Sequence, residues 1–148
     1  MSATIMYATD FSRASRAAFS KALQLAKRDR APLVVAHVMS PGVPLLGDGY
    51  VPPATLDEIY RGYRQASQKK LDAVVARAKA AGVRVRGLLL EGVPHEQILR
   101  AAKATRAGLL VVGTHGRSGV ARFILGSVAG RVVAGARCPV VTVRGSAR

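Results

Sequence analysis

Short, nearly unbroken apolar runs alternate along the chain with longer segments in which apolar residues recur every three or four positions. Thr4–Ala8 and Leu33–Val38 are runs of the first kind, and Val83–Leu90, Leu109–Val112 and Pro139–Val143 supply three more. Strands covered on both faces read this way, because a two-sided cover removes the polar alternation of a half-solvated strand. Between them, Phe19, Ala22, Leu23 and Ala26 place one apolar stripe on a helix over roughly residues 12–29. Leu56, Ile59, Tyr60, Tyr63, Leu71, Val74, Val75 and Ala78 do the same for a longer helix ending at Gly82. The spacing predicts that it opens on a capping box, Thr55-Leu-Asp-Glu58, in which each side chain satisfies the other residue's backbone donor. Pro94 suits the first position of a third helix that turns Ile98, Leu99 and Ala102 inward. A fourth starts near Ser127 and carries Val128, Val132 and Val133; its Gly130 and Gly135 each cost about 1 kcal/mol relative to Ala.

Strict alternation of strand and helix calls for one α/β domain over residues 1–148. Its five strands form a doubly wound parallel sheet with right-handed crossovers and helices on both faces. The irregular stretch from Ser40 to Ala54 holds four prolines and three glycines and leaves the C-terminal end of the second strand. Doubly wound sheets place their ligand crevice at that end, so the stretch reads either as a flap near a crevice or as a surface insertion.

Composition narrows the classes. With 49% apolar and 21% charged residues in 148, the chain is too hydrophobic for disorder. No apolar run reaches the roughly 18–20 residues of a membrane span, and the first residues do not resemble a signal peptide, so a cytoplasmic protein without a membrane partner is expected. Cys138 is the single cysteine, which excludes an intramolecular disulfide and a cysteine-based zinc cluster. The formal charge is +15, and residues 97–148 carry nine bases and no acid. Such a field attracts anions without choosing among phosphates, nucleic acid and an acidic membrane surface, and an acidic protein or polyanion partner stays open.

Two loops hold the informative residues. The first is Ala8-Thr9-Asp10-Phe11-Ser12; the second runs from Val112 through Gly113, Gly116 and Arg117 to Gly126, Ser127 and Val128. Glycines at 113 and 116 let backbone approach a ligand, although two tight turns would use the same spacing. Gly126-Ser127, at the mouth of the fourth helix, offers free N–H groups and a hydroxyl where an anion is favoured. The G-x4-GK-[ST] phosphate loop is absent.

On these residues the sequence resembles the universal stress protein family. The likeness runs from Tyr7-Ala-Thr-Asp-Phe-Ser12 through Val35-Ala-His-Val38, Glu91-Gly-Val-Pro94 and Gly113-Thr-His-Gly-Arg117 to Leu125-Gly-Ser-Val-Ala129 and Cys138-Pro-Val-Val141. Gly113, Gly116, Gly126 and Ser127 match the G-x2-G-x9-G-[S/T] pattern of its ATP-binding branch. The resemblance implies a flavodoxin-like sheet of order 3-2-1-4-5. It also implies ATP with Mg²⁺, or a related adenine nucleotide, as ligand, and a homodimer through Val140–Val143. It puts adenine and ribose against Ala8, Thr9, Asp10 and Val38, with Val112 and Gly113 opposite, and the phosphates on Gly116, Gly126, Ser127 and Val128. Asp10 would accept a ribose hydroxyl or stand near nucleotide-bound Mg²⁺, a role compatible with capping the first helix beside Ser12. Ser127 reads as a phosphate donor or a plain N-cap. Gly108 and Gly130 depart from the family, which usually has an acid at the first position and often Glu at the second.

Other groups offer less. His37 lies inside a buried strand and reads as a core residue rather than a base, His95 follows Pro94 in the first turn of a helix and is expected to be exposed, and His115 could reach a phosphate but has no acidic orienter in sequence reach. Arg117 and Arg122 are either phosphate contacts or surface residues, and Ser118 has no triad partners. No metal site is expected from protein groups alone, and no catalytic residue is identified. The expected function is a dimeric, nucleotide-responsive stress module with at most weak ATPase activity. A nucleotide-cleaving or nucleotidyl-transferring enzyme and a basic nucleic-acid-binding module are the rivals; the second lacks Trp and any stacking motif.

Overall fold

Apolar strand residues alternate between two cores, and this decides where every helix lies. The computed structural model describes residues 2–40, 50–114 and 125–145. In chain order the elements are β1 (Thr4–Ala8), α1 (Arg13–Asp29), β2 (Leu33–Met39), α2 (Pro53–Ala80), β3 (Val85–Glu91), α3 (Pro94–Ala104), β4 (Ala107–Gly113), α4 (Ser127–Gly135) and β5 (Val140–Val143). All neighbouring strands pair in parallel, in the order β3-β2-β1-β4-β5. Ile5 and Tyr7 point to a core with Phe19 and Ala22 of α1 and Leu71 and Ala78 of α2. Met6 and Ala8 point the other way, to Ile98 and Ala102 of α3 and Ala129 and Val132 of α4. The expected α/β architecture, sheet order and two-sided cover are therefore present, and β1 and β4 flank the point where the strand order reverses.

Three local expectations are corrected. The second helix does not open on a Thr55–Glu58 capping box: it begins at Pro53 with Pro52 as its N-cap and no side-chain cap, and Leu56 N–H donates to the Pro52 carbonyl. Proline presets the helical φ and has no N–H to satisfy, so the Pro-Pro pair starts the helix a turn early and leaves Thr55 inside it. Tyr60 and Tyr63 of that helix are exposed, not inward. Twenty-eight helical residues span about 42 Å, whereas a seven-residue strand spans about 23 Å, so the N-terminal half of α2 projects past the C-terminal edge of the sheet. In α4, Ala129 and Val132 are buried, while Val128 and Val133 face outward, because nine residues expose one narrow inner stripe.

Glycines set two close approaches. A Cβ at Gly87 would lie 3.0 Å from Val75 Cγ2 and 3.1 Å from Leu71 Cγ, so the bare backbone of β3 is what lets α2 settle on it. At Gly135, a Cβ would meet Leu99 Cδ1 at 2.7 Å, which accounts for a helix-weakening residue where α4 passes α3. Among the described residues no helix is long and apolar enough to cross a membrane.

Candidate functional site

The turn from β1 into α1 is built on a one-way chain of hydrogen bonds. Phe11 N–H donates to Thr9 Oγ1 at 3.0 Å, Thr9 Oγ1 is 2.8 Å from Ser15 Oγ, Ser15 Oγ meets the Tyr7 hydroxyl, and that hydroxyl donates to the Ser15 carbonyl at 2.7 Å. Each hydroxyl has one proton, so the direction is set throughout: Thr9 donates to Ser15, Ser15 to Tyr7, and Tyr7 to the carbonyl. Tyr7, Thr9 and Ser15 are buried, and this network holds the loop without solvent. Asp10 Oδ1 accepts the Ser12 N–H at 2.9 Å, and Ser12 Oγ accepts the Ser15 N–H at 3.3 Å as the N-cap of α1. Phe11 takes a left-handed backbone, φ 63°, an arrangement that costs a non-glycine residue on the order of 1–3 kcal/mol and is offset by its surroundings. Its ring lies 4.1 Å, centroid to centroid, from that of His37, whose Nδ1 donates to the Thr9 carbonyl at 2.8 Å.

Burial raises the Tyr7 phenol above its ordinary value of 10.0, against the lowering effect of its hydrogen bond from the Ser15 hydroxyl. The folded chain then keeps this proton to a higher pH than the unfolded chain. Stability is accordingly expected to fall as pH rises above 10, where the unfolded chain has already released it. Tyr7→Phe should remove that alkaline decline and cost about 1–2 kcal/mol at neutral pH. Urea unfolding in a pH series checks both; an unchanged alkaline slope would contradict the assignment.

The mouth of α4 closes the site from the other side. Gly126 N–H donates to the Thr114 carbonyl at 2.6 Å, and Thr114 N–H to the Val143 carbonyl at 2.9 Å, tying the helix start to the ends of β4 and β5. Gly126 is the N-cap and Ser127 the first helical residue, so the plain N-cap reading of Ser127 does not apply. The first intrahelical bond runs from Gly130 N–H to the Gly126 carbonyl, and the N–H groups of Ser127, Val128 and Ala129 precede it at the positive end of the helix.

These two constructions face one cavity of about 370 Å³ at the C-terminal ends of β1 and β4. Ala8, Thr9, Asp10, Val38, Val112, Gly113, Gly126, Ser127 and Val128, named from the sequence, all line it. Gly116, His115, Arg117, Ser118 and Arg122 lie outside the described residues, as do residues 41–49 of the irregular stretch. Sequence reasoning missed Ser15, Ala36, Ser40, Tyr63, Pro94, Ile98, Thr114 and Ala129 and read His37 only as a core group. Ala36 follows from the strand register, since it pairs with Ala8. Ser15 and Tyr63 carry no such signal, because one acts through the buried network and the other depends on how far α2 overruns the sheet. His95, expected to be exposed, is half-buried.

Small apolar groups form the walls, helix-end donors form one corner, and Asp10 is the one carboxylate among the described lining residues. No group of three metal-ligating side chains occurs among the described residues. The fold and the cavity define a doubly wound α/β protein with its crevice at the strand-order reversal. The chain belongs to the universal stress protein family, whose profile matches residues 1–144. It is 35% identical over 142 residues to universal stress protein MJ0531 of Methanocaldococcus jannaschii, covering 95% of this chain and 81% of the relative. Among solved structures, protein MJ0577 of the same organism superposes with a TM-score of 0.81 at 20% identity, covering 99% of this chain and 98% of the other, a likeness of fold. A universal stress protein crystallised in complex with cAMP superposes with a TM-score of 0.70 at 30% identity, covering 97% and 98% of the two chains.

Proposed function

We propose that this universal stress protein binds ATP with Mg²⁺ in the crevice between β1 and β4 and acts as a dimeric regulatory module whose nucleotide state is read by partners. The observation that carries the reading is the convergence of the β1–α1 turn and the α4 N-terminus on one cavity. Donors of Ser127 and Val128 suit a phosphate at the positive helix end. Ala8, Ala36, Val38 and Val112 offer small apolar walls of the kind a base fits between, and Gly113 lets backbone come close. Mg²⁺ would be held chiefly by the phosphates, with Asp10 the nearby carboxylate, since Mg²⁺ accepts a site of one or two carboxylates plus phosphate.

Slow turnover fits the same residues. Asp10 Oδ1 is engaged by Ser12 N–H, and His37 Nδ1 is held on the Thr9 carbonyl, so both serve the turn itself. Dimerisation through β5 is supported by its position at the sheet edge and by the outward Val128 and Val133 of the preceding helix. Cyclic AMP is the second reading, favoured by the relative in complex with that ligand. Mass analysis of nucleotide released from freshly purified, denatured protein separates them: ATP or ADP near one per chain is the expected result. Cyclic AMP at that ratio would replace ATP as the ligand, and no adenine nucleotide released or bound on titration would overturn both.

A further inference from the structure

A second cavity, of about 450 Å³, lies at the opposite edge of the sheet from the nucleotide crevice, where the C-terminal ends of α3 and α4 part over the start of β4. Leu99 and Leu110 contribute an apolar floor, and its rim carries Arg100, Lys103, Arg106 and Arg137. Its described lining holds no carboxylate, and the one ion pair among the described residues, Arg28–Asp29, is on α1. The chain has no acid after Glu96 that could supply one.

Helix C-termini attract cations, and that alone would place a base or two here. Each terminus contributes roughly half a negative charge, so α3 and α4 together offset about one of the four positive charges. Close to three remain over an apolar floor. Arg106 also holds a left-handed backbone, φ 54°, a conformation in which Gly or Asn is ordinary and another residue costs on the order of 1–3 kcal/mol. Guanidinium groups bind phosphate through paired, parallel N–H donors, and three of the four rim cations are arginines. The volume is that of a small-molecule site, within the ordinary range of roughly 300–1,000 Å³.

We propose that this cavity binds a small organic phosphate with an apolar body, at a site separate from the nucleotide crevice. The phosphate sits on the arginine rim and the apolar part on the Leu99–Leu110 floor. Cys138 lines the same cavity and, as the single cysteine, reports on its occupancy without serving as a ligand.

Naphthyl phosphate is the probe, titrated into the full chain with the crevice saturated by Mg-ATP, while alkylation of Cys138 by iodoacetamide is followed by mass. The expected result is one probe per chain that slows alkylation, with naphthol and inorganic phosphate each binding at least about tenfold more weakly. Arg100→Gln with Arg137→Gln should weaken the probe by at least about tenfold and abolish the protection, with the melting temperature and ATP affinity unchanged. The proposal is overturned if ATP displaces the probe with Cys138 unprotected, if naphthol binds as well as its phosphate, or if the double variant binds like the parent. Protection of Cys138 is read equally without ATP, so a chain that fails to bind ATP still tests this cavity.

Discussion

Gly126→Asp is expected to weaken nucleotide binding by at least about a hundredfold while leaving the fold as stable as before or slightly more so. Gly126 has φ −56° and ψ 156°, a conformation open to any residue, so the substitution introduces no backbone strain. Asp is among the best N-cap residues because its carboxylate accepts N–H groups of the first helical turn, and here no side chain caps α4. That carboxylate would take the Val128 N–H from the proposed phosphate and, by setting a negative charge beside it, turn the phosphate away from the Ser127 N–H as well. Losing two charge-assisted hydrogen bonds, each worth about 1.5–3 kcal/mol, is enough for the stated loss before repulsion is counted. Gly126→Asn caps the helix without the charge and should lose less. Calorimetric titration with Mg-ATP beside thermal melting reads both quantities. An Asp variant that binds ATP like the parent would remove the α4 N-terminus from the site.

Leu71→Ala is expected to cost about 2–5 kcal/mol and to lower the melting temperature on the order of 10 °C. Leu71 is 1% exposed, belongs to the core shared by α1, α2 and β1, and rests on the bare backbone of Gly87. Truncation leaves a cavity where α2 meets the sheet. Tyr63, two turns earlier on the same helix and 39% exposed, should behave oppositely: Tyr63→Ala is expected within about 0.5 kcal/mol of the parent in stability, with its effect on nucleotide affinity instead. Equal destabilisation by the two substitutions would mean that the sheet supports the whole length of α2.

The contrast along α2 shows what a hydrophobic pattern can and cannot carry. Periodicity identifies a helix and its apolar face, and the strands Thr4–Ala8 and Leu33–Met39 are as plain in the sequence as in the fold. It does not say where the neighbouring sheet ends, so Leu56 through Tyr63 read like Leu71 through Ala78, although only Leu71 and Ala78 of these are buried and Tyr60 and Tyr63 are exposed. The capping box failed for a related reason: Pro52-Pro53 imposes its own helix start, stronger than a Thr–Glu pair one turn later. Sheet order came from family resemblance, since apolar runs of this kind contain no pairing information. At the cavity, Gly113, Gly126 and the Asp10 turn could be picked out in the sequence because their chemistry is local, while Gly116 lies outside the described residues. Ser15 was not, because its part in holding Thr9 exists only once α1 lies against β1.

Part of the +15 charge gathers at one place in the fold. Among the described residues, the crevice lining carries Asp10 and no lysine or arginine. Four bases instead converge on the second cavity, at the far edge of the sheet. The two proposed sites would attract anions by different means, helix-end N–H groups in one and arginine side chains in the other, and salt should weaken binding more at the second.

Titration of nucleotide-free, isotope-labelled protein with Mg-ATP, followed by backbone amide resonances, tests the central claim most directly. The predicted result is saturation at one nucleotide per chain, with the largest shifts at Gly113, Ser127 and Val128 and little change at Arg100, Lys103 and Arg106. Shifts confined to those last three residues, or no saturable change at the α4 N-terminus, would contradict it.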